Sequence, residues 1–366
     1  MRLTGFLRQP MLALLGGFAL VFSSAPSFAY SALYVFGDSL SDAGNVYDIS
    51  GGLVPPYPYV GGHFSNGPTW AEDLSGKLGL GTLKPSTQGG TDYAYGYATT
   101  SADIPRSSPV PLGLTIPNIQ QQVAQYGADH SFRADSSALY SVWIGSNDVL
   151  NALAAVGSGT LTLSEAETRV GAAISSEITA IGTLVQEGAK HLLIGLLPDL
   201  GLTPALNTVA PAAGTDAARA YNTALEAAAS TYFSGVDLHF LDTFDLLRSA
   251  VATPSAYGFT DVTTPCFTGS SVCSNPDQHL FWDDLHPTRA GHELIADLAV
   301  HTLGVTPVPL PGGATLFAAS LALLGAFAAA GRRLKRVAGS ITLRRRPETV
   351  TPQLPTGSFG AAQPSS

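Results

Sequence analysis

The sequence predicts a three-layer α/β/α sandwich built on a parallel β-sheet. Short apolar segments rich in aromatic and branched side chains recur along the chain, and longer segments with helical periodicity lie between them. Strands that alternate with helices in this way form parallel sheets covered by helices on both faces. The chain has 366 residues, of which 45% are hydrophobic, and this is enough for a sizeable core. It contains no internal repeat, no glycine-rich phosphate loop and no dinucleotide-binding motif.

Four segments are predicted strands because they are short, apolar and bounded by turn-forming residues. They comprise residues 33–36, 139–144, 191–197 and 236–241. A glycine or a proline follows each of the first three, so that a polar cluster begins where the strand ends. Ligands of open α/β sheets bind at the carboxyl ends of the strands, and these clusters are therefore the first candidates for a functional site.

Five segments have the apolar spacing of amphipathic helices. They comprise residues 70–80, 116–126, 164–187, 216–233 and 287–303. In the third, Ser164 is followed three residues later by Glu167, the pattern of a capping box, and the last begins at a His-Pro step. Residues 91–100 form an alternating Tyr/Gly/Ala segment that ends in a polar turn.

A long loop is predicted at residues 51–68, since its prolines exclude a helix or a central strand. Ordered loops of this length are usually functional. Its tyrosines and Phe64 provide apolar surface that either lines an acyl or sugar site or packs within the loop itself.

The first 29 residues are predicted to be a secretory signal peptide. Arg2 and Arg8 precede an uncharged apolar run at residues 11–22, and Ser27 and Ala29 supply the small side chains that a signal peptidase reads. Cleavage is expected after Ala29. An uncleaved membrane anchor fits less well, because the apolar run is shorter than the roughly 20 residues that span a bilayer.

Residues 307–336 are predicted to be directed to a membrane. No charged residue occurs between residues 302 and 331, residues 310–330 are almost wholly apolar, and four basic residues follow at once. This order is typical of a membrane span with its basic end in the cytoplasm and the preceding domain outside. A buried core helix is the alternative. The basic and then Pro/Ser/Gly/Thr-rich residues 337–366 are predicted to be disordered.

Residues 30–306, predicted to be one exported domain, are strongly acidic. Nine of the 18 Lys and Arg residues lie outside this range, whereas only Glu348 of the 27 acidic residues does, and the range therefore carries a formal charge of −17. Such a charge repels nucleic acid and favours a soluble protein of the extracellular space or cell envelope.

The two cysteines, Cys266 and Cys273, enclose a Thr/Gly/Ser-rich loop of six residues. In an exported protein this spacing predicts a disulfide. Zinc binding is not expected, because no histidine or second cysteine pair lies at the spacing of a zinc site. The sequence implies neither a metal nor an organic cofactor.

Ser39 is the candidate nucleophile, at the end of the first predicted strand. Gly37 interrupts the apolar run, and the polar residues after it form a turn. A serine hydroxyl is a poor nucleophile at its free pKa, so this role requires a histidine base, an acid that orients the histidine, and donors for an oxyanion. Without those partners the segment is an ordinary Ser/Asp/Gly turn.

Residues 282–287, with the sequence WDDLHP, provide a candidate base and a candidate orienting acid. Asp283 and His286 are three residues apart around a predicted helix start and therefore lie on the same side of the turn. Asp284 is the competing acid, but its spacing directs it elsewhere. His292 lies within the helix and is interpreted as a surface or packing residue rather than a metal ligand.

Three groups at strand ends are candidate oxyanion donors: the backbone N–H of Ser39, the backbone of the Gly96-Tyr97 turn, and the side-chain amide of Asn147. Each preorganised donor typically lowers a barrier by about 2.7 to 4 kcal/mol. By itself, Asn147 would be interpreted as a turn former, since Gly/Ser/Asn/Asp clusters close many strands. Its position after a buried strand, with the other groups present, favours the catalytic interpretation.

Four sequence blocks resemble those of the GDSL esterase/lipase family, also called SGNH hydrolases, in the family's order. They are residues 36–45 (FGDSLSDAGN), 93–100 (YAYGYATT), 145–148 (GSND) and 281–288 (FWDDLHPT), and residues 64–70 (FSNGPTW) also resemble a family segment. The similarity spans about residues 33–303 and resembles the branch of secreted bacterial phospholipase- and lecithinase-like enzymes. It implies a flavodoxin-like fold with Ser39 as nucleophile, His286 as base and Asp283 as its orienting acid. Asn147 and the second block are implied as oxyanion donors.

Two features depart from the families that they resemble. Relatives usually have a glycine where this chain has Tyr97, and a turn with positive φ would strain a tyrosine, which leaves Gly96 as the alternative donor. Residues 308–313 (VPLPGG), the apolar span and the basic cluster resemble the exosortase sorting signals of bacterial envelope proteins. Those signals usually end soon after the basic cluster, whereas this chain continues for thirty residues, so a plain membrane anchor is the alternative.

Together these features predict an exported esterase or lipase that hydrolyses carboxylic esters through an acyl-enzyme on Ser39. One alternative is an acyltransferase to a sugar or lipid acceptor, because water and an alcohol compete for one acyl-enzyme. Another is a non-catalytic envelope or matrix-binding protein on the same fold. The expected partners are an ester substrate (a lipid or an acylated sugar), signal peptidase, exosortase and, through the C-terminal span, the membrane. Residue types leave the acyl chain length and the alcohol open.

Overall fold

The parallel sheet predicted from the sequence is present in the structure, a computed structural model that describes residues 30–101, 106 and 110–305. Its four named strands lie side by side in chain order: β1 (Leu33–Gly37), β2 (Leu139–Trp143), β3 (His191–Gly195) and β4 (Asp237–Leu241). Each predicted strand is confirmed within two residues at either end. The first residues of neighbouring strands are paired, so the carboxyl ends meet at one edge.

Residues 91–95 extend the sheet beyond β1. The Val35 N–H donates to the Thr91 carbonyl and the Tyr93 N–H donates to the Val35 carbonyl, in the parallel pattern. Numbered along the chain, the order of the five segments is 2-1-3-4-5, which is the order of flavodoxin-like folds. The Tyr/Gly/Ala segment singled out in the sequence therefore lies beside the strand that precedes Ser39.

The described residues contain eight α-helices. They are α1 (Asn45–Ile49), α2 (Trp70–Lys77), α3 (Ile119–Asp129), α4 (Ser146–Gly157), α5 (Leu163–Glu187), α6 (Pro211–Tyr232), α7 (Thr243–Ala252) and α8 (Arg289–Thr302). On one face of the sheet, α3, α4, α5 and α6 pack against a cluster that includes Phe36 and Val142. On the other face, α2 and α8 pack against a cluster that includes Val35 and Trp143. The three-layer sandwich is confirmed.

The five predicted helices are confirmed as α2, α3, α5, α6 and α8, with ends displaced by up to five residues. The predicted capping box of α5 is wrong in its residues. Thr162 and Glu165 form it, two residues earlier than the predicted pair.

Two helices that start at strand ends were not predicted. Gly145, with a φ of 110°, makes the turn after β2 alone, and Ser146 already begins α4 where a longer turn was expected. Similarly, α7 follows β4 directly, with Asp242 as its N-cap. Ser, Asn and Asp favour both turns and helix starts, so composition did not separate the two.

A pair of short parallel strands, β5 (Asp261–Pro265) and β6 (His279–Phe281), lies just before residues 283–286 in the chain. Cys266 and Cys273 form the predicted disulfide beside this pair. The Cys266 N–H donates to the carbonyl of the last residue of β6. The disulfide loop is thus bonded to the chain just ahead of the candidate acid.

The predicted signal peptide (residues 1–29), the membrane-directed segment (307–336) and the tail (337–366) lie outside the described residues. All three stay predictions. Across the described ranges, no helix combines the length and the apolar character that crossing a membrane requires.

Candidate active site

Ser39 lies in a tight turn directly after β1. The Leu40 N–H donates to the Asp38 carboxylate at 3.0 Å and closes the turn. Gly37 is needed before this turn, since a Cβ there would lie 2.3 Å from the carbonyl oxygen of Trp143 on β2. The close approach of the two strands therefore places the hydroxyl group of Ser39, half-buried, at the carboxyl edge of the sheet.

The end of β1 is also held by a side chain from α3. The fully buried amide of Gln122 accepts from the Gly37 N–H and donates to the Gly37 carbonyl, both at 2.9 Å. Because both polar groups of Gly37 are bonded, the strand end that carries Ser39 is anchored from the helical layer as well as from the sheet.

Three side chains singled out in the sequence form a hydrogen-bonded triad, in a line from Ser39 through His286 to Asp283. His286 Nε2 lies 2.7 Å from Ser39 Oγ. On the other side of the ring, His286 Nδ1 lies 2.7 Å from Asp283 Oδ2 and 3.0 Å from Asp283 Oδ1. Asp284, the competing acid, is exposed. The structure therefore brings Ser39, His286 and Asp283 together and leaves Asp284 outside the line.

The turn that carries Asp283 and His286 closes on the carboxylate itself. Asp283 Oδ1 accepts the backbone N–H of Leu285 at 2.8 Å and that of His286 at 2.7 Å. A spacing of three residues is the one that lets the same carboxylate bind both the backbone and the imidazole ring of His286. The orientation of the ring is thereby set by local chain geometry.

Charge and burial act in opposite directions on this pair. Burial raises the pKa of Asp283, but the His286 charge and the hydrogen bonds to the carboxylate outweigh it and lower the pKa to about 2. Burial lowers the pKa of His286, but the charge and hydrogen bond of Asp283 outweigh it and raise the pKa above its usual value. The negative charge of Asp38 also raises the pKa of His286. The site therefore favours an imidazole that accepts a proton readily.

Asn147 lies in the first turn of α4 and lines the same cavity as Ser39 and His286. Its Nδ2 donates one hydrogen to the Ala98 carbonyl at 2.8 Å. An amide nitrogen carries two hydrogens, so this bond orients the group and leaves the other hydrogen available to a ligand.

The Gly96-Tyr97 turn separates the two candidate backbone donors. The Gly96 N–H already donates to the buried Asp42 carboxylate at 2.7 Å. Tyr97 has a φ of 66°, the left-handed region in which a side chain is strained, and its N–H has no acceptor within the described part of the chain. Glycine at position 96 serves packing, since a Cβ there would lie 2.2 Å from the Phe64 ring. Neither residue lines the cavity around Ser39 as the described residues form it.

Comparison with known proteins bears on this arrangement directly. Residues 33–299 match the GDSL-like lipase/acylhydrolase family. The chain belongs to this family. The resemblance drawn from the four sequence blocks is confirmed, and this GDSL protein is a carboxylic ester hydrolase.

Its relatives include bacterial and plant enzymes. Phosphatidylcholine-sterol acyltransferase of Aeromonas hydrophila is 27% identical over 343 residues, covering 80% of this chain and 96% of that protein. Lipase 1 of Photorhabdus luminescens is 36% identical over 176 residues, covering 48% of this chain and only 23% of that protein. A GDSL esterase/lipase of Arabidopsis thaliana is 27% identical over 308 residues, covering 72% of this chain and 85% of that protein.

One side chain of this GDSL hydrolase was not singled out by sequence reasoning. Tyr59, in the aromatic loop, donates its hydroxyl hydrogen to Asp283 Oδ2 at 2.7 Å. Its ring contacts Phe267 and Trp282 edge-on, with centroids 5.6 and 6.2 Å apart. Since 224 residues separate Tyr59 from Asp283, no local pattern relates them, and the aromatic composition of the loop was the available signal.

Replacing Tyr59 by phenylalanine is expected to lower kcat/KM about tenfold, since a hydrogen bond to a charged group is lost. It should also move the acid limb of the pH profile upward, because an Asp283 without this donor attracts a proton on His286 more strongly. Tyr57→Phe is the matched control, since the Tyr57 side chain is 93% exposed. A Tyr59→Phe enzyme with the wild-type rate and pH profile would show that the contact has no catalytic role.

His292 is a packing residue, in agreement with the sequence interpretation. It is 1% exposed, and its Nδ1 accepts the Trp70 N–H at 3.3 Å. Burial lowers the pKa of His292 to about 3, so the ring is neutral. Among the residues that the structure describes, no group of three or more His, Cys, Asp or Glu side chains could hold a metal ion.

Proposed function

We propose that this chain is an exported serine hydrolase that cleaves carboxylic esters through an acyl-enzyme on Ser39. The observation that carries the proposal is the line from Ser39 Oγ through His286 to Asp283, with 2.7 Å at each contact. A nucleophile, a base and an orienting acid in this order perform the same chemistry on several unrelated folds.

The reaction begins when Ser39 Oγ attacks the ester carbonyl carbon and its proton passes to His286 Nε2. The tetrahedral intermediate then expels the alcohol, which leaves with that proton, and the acyl group stays on Ser39. Water attacks the acyl-enzyme, again giving a proton to His286. Collapse of the second intermediate releases the carboxylic acid and returns the proton to Ser39. Asp283 stays ionised throughout and stabilises the imidazolium in both steps.

The oxyanion is assigned two donors from the wall of the cavity around Ser39, the backbone N–H of Ser39 and the side-chain amide of Asn147. The third is the backbone N–H of Tyr97, whose turn is held beside Asn147 by the hydrogen bond from Asn147 to the Ala98 carbonyl. Gly96, the alternative to Tyr97, is set aside because Asp42 already accepts its N–H. Donors held before the reaction begins stabilise the developing charge without reorganisation, and this is usually the largest single term in such catalysis.

Replacing Asn147 by alanine is expected to lower kcat by about 100- to 1,000-fold with little change in KM, because the lost hydrogen bond forms mainly in the transition state. The measurement is a full kinetic comparison on p-nitrophenyl acetate. Asn207→Ala is the matched control, since that amide donates to the Thr263 carbonyl and does not line the cavity around Ser39. A rise in KM at unchanged kcat would contradict the oxyanion role.

The proposed function is tested by turnover together with covalent labelling. The purified protein is expected to hydrolyse p-nitrophenyl esters and to take up one fluorophosphonate, located at Ser39 by peptide mass spectrometry. A folded protein that neither turns over esters nor reacts with the probe would support the non-catalytic envelope-binding alternative.

Acyl transfer to a lipid or sugar acceptor is the second candidate function. The similarity to a protein named phosphatidylcholine-sterol acyltransferase, over 96% of that protein's length, favours it. An acceptor alcohol would intercept the same acyl-enzyme in place of water. Incubation with a phospholipid and a sterol, followed by chromatography for a sterol ester, distinguishes transfer from hydrolysis.

Export is part of the proposal. We assign cleavage by signal peptidase after Ala29, and anchoring or exosortase processing at residues 307–336. The disulfide between Cys266 and Cys273 supports an oxidising compartment outside the cytoplasm. Intact-mass measurement and fractionation of cells that express the full chain test both ends.

A further inference from the structure

A second cavity, of about 60 Å³, lies behind the candidate active site between α7 and α8. It shares four wall residues with the cavity around Ser39: Leu40, Pro198, Thr203 and Leu285. Leu40 directly follows Ser39, and Leu285 directly precedes His286. The two cavities are therefore neighbours across these four residues, two of which are next in sequence to Ser39 and His286.

The wall of this second cavity is almost entirely hydrocarbon, with Leu247 and Ile295 among its side chains. Its two threonine hydroxyl groups, from Thr203 and Thr243, already donate to backbone carbonyls at 2.7 and 2.5 Å. Trp143 adds an indole N–H that has no partner within the described residues. No charged side chain of the described residues lines the cavity, so an apolar occupant fits it best.

We propose that this cavity holds the acyl chain of the ester while its carbonyl carbon is bonded to Ser39, an inference that rests on the proposed function. The acyl group stays on the enzyme after the alcohol has left. A cavity with mostly buried walls suits the part that stays. The alcohol must depart and water must enter, and both need the open side of the cavity around Ser39.

The cavity volume sets the preferred chain length. A site for one water needs about 15 Å³ on this measure, so the cavity holds roughly four groups of that size. Each methylene group that it buries is worth about a fourfold gain in kcat/KM. We expect kcat/KM for p-nitrophenyl esters to rise from acetate to about hexanoate and then to level off.

Ala250 provides the test, because it is 1% exposed and lies on the cavity wall in α7. Ala250→Leu adds three carbon atoms there. The ratio of kcat/KM on hexanoate to kcat/KM on acetate is expected to fall at least about tenfold in this variant, the gain from two methylene groups. Val251→Leu, at the next residue and off the wall, is the matched control and should keep the wild-type profile. Ala250→Val, with a smaller loss, serves if Ala250→Leu does not fold.

Two further arms separate the possible failures. In the first, kcat/KM for alkyl acetates should not rise as the alcohol becomes longer. A rise in kcat/KM that Ala250→Leu abolishes would assign the cavity to the alcohol and overturn the inference. In the second, binding of sodium hexanoate is followed by tryptophan fluorescence, which Trp143 in the wall makes sensitive to an occupant. Wild type is expected to bind at least tenfold more tightly than Ala250→Leu, a readout that needs no turnover.

The outcomes keep the two proposals apart. Ser39-dependent hydrolysis of acetate with identical chain-length profiles in wild type and Ala250→Leu overturns the acyl cavity and leaves the proposed function standing. If the wild-type protein hydrolyses no ester, the proposed function is overturned. Hexanoate binding then decides the cavity, which is rejected if wild type and Ala250→Leu bind equally.

Discussion

Replacing Ser39 by alanine is expected to lower kcat/KM on p-nitrophenyl acetate by about 10⁵- to 10⁶-fold, the size of effect seen when the serine of a Ser-His-Asp triad is removed. The change deletes the oxygen that lies 2.7 Å from His286 Nε2 and that is the proposed nucleophile. Residual turnover then depends on water activated by His286 and on the oxyanion donors alone. Initial rates with an active-site-titrated wild type provide the measurement.

The control for Ser39 lies two residues away in the same turn. Ser41 is fully buried, and its Oγ accepts the indole N–H of Trp70 at 3.1 Å. Ser41→Ala should therefore lower the melting temperature while it keeps activity within about tenfold, since a buried donor is left unpaired. Ser39→Ala should instead abolish activity and keep the melting temperature of the wild type. Wild-type turnover by folded Ser39→Ala would remove Ser39 as the nucleophile.

Replacing Asp283 by asparagine is expected to lower kcat by about 10⁴-fold, as the same substitution does in other Ser-His-Asp triads. The amide of asparagine can donate to His286 Nδ1, and that hydrogen bond would place the ring proton on Nε2. A protonated Nε2 cannot accept the proton of Ser39. The negative charge that stabilises the imidazolium is lost as well. Asp284→Asn is the matched control, because Asp284 is adjacent in the chain and exposed. Equal losses at the two positions would contradict the assignment of Asp283.

The pH profile gives a second readout for Asp283. His286 acts as a base only when it is neutral, and its pKa lies above the ordinary histidine value because of the Asp283 charge. The acid limb of wild-type kcat/KM should therefore lie above about pH 6.5. Asp283→Asn removes the charge that raises the pKa, so the limb should move to lower pH, whereas Asp284→Asn should leave it in place. An unchanged limb in Asp283→Asn would show that another group controls it.

The parts of the site that the sequence predicted are those whose geometry is local. The hydrogen bond between Asp283 and His286 depends on one turn of chain, and the spacing of three residues was visible in the sequence. Ser39 was visible because Gly37 ends an apolar strand, and a Cβ at Gly37 would collide with the neighbouring strand. In both cases the physical cause and the sequence signal lie within a few residues of each other.

The proposed oxyanion donors show where local signals stop. The sequence named both Gly96 and Tyr97, but the N–H that is free depends on Asp42, which lies 54 residues away and accepts from Gly96. Likewise Asn147 was expected in a turn, whereas it occupies the first turn of α4 because Gly145 alone completes the reversal. The choice between Gly96 and Tyr97 depends on which groups of the folded chain compete for one hydrogen bond.

By itself, the sequence predicted the layered fold and the three side chains of the triad, because strand and helix periodicity and short turns are properties of neighbouring residues. The family was indicated by the resemblance of four short sequence blocks to those of known members. Only the tertiary structure decided that Tyr59 binds Asp283 and that an apolar cavity adjoins Ser39. Those features arise where segments more than 200 residues apart pack together, as Tyr59 and Asp283 do. Packing and hydrogen bonds between such segments depend on the position of every element between them, and no pattern within one segment carries that information.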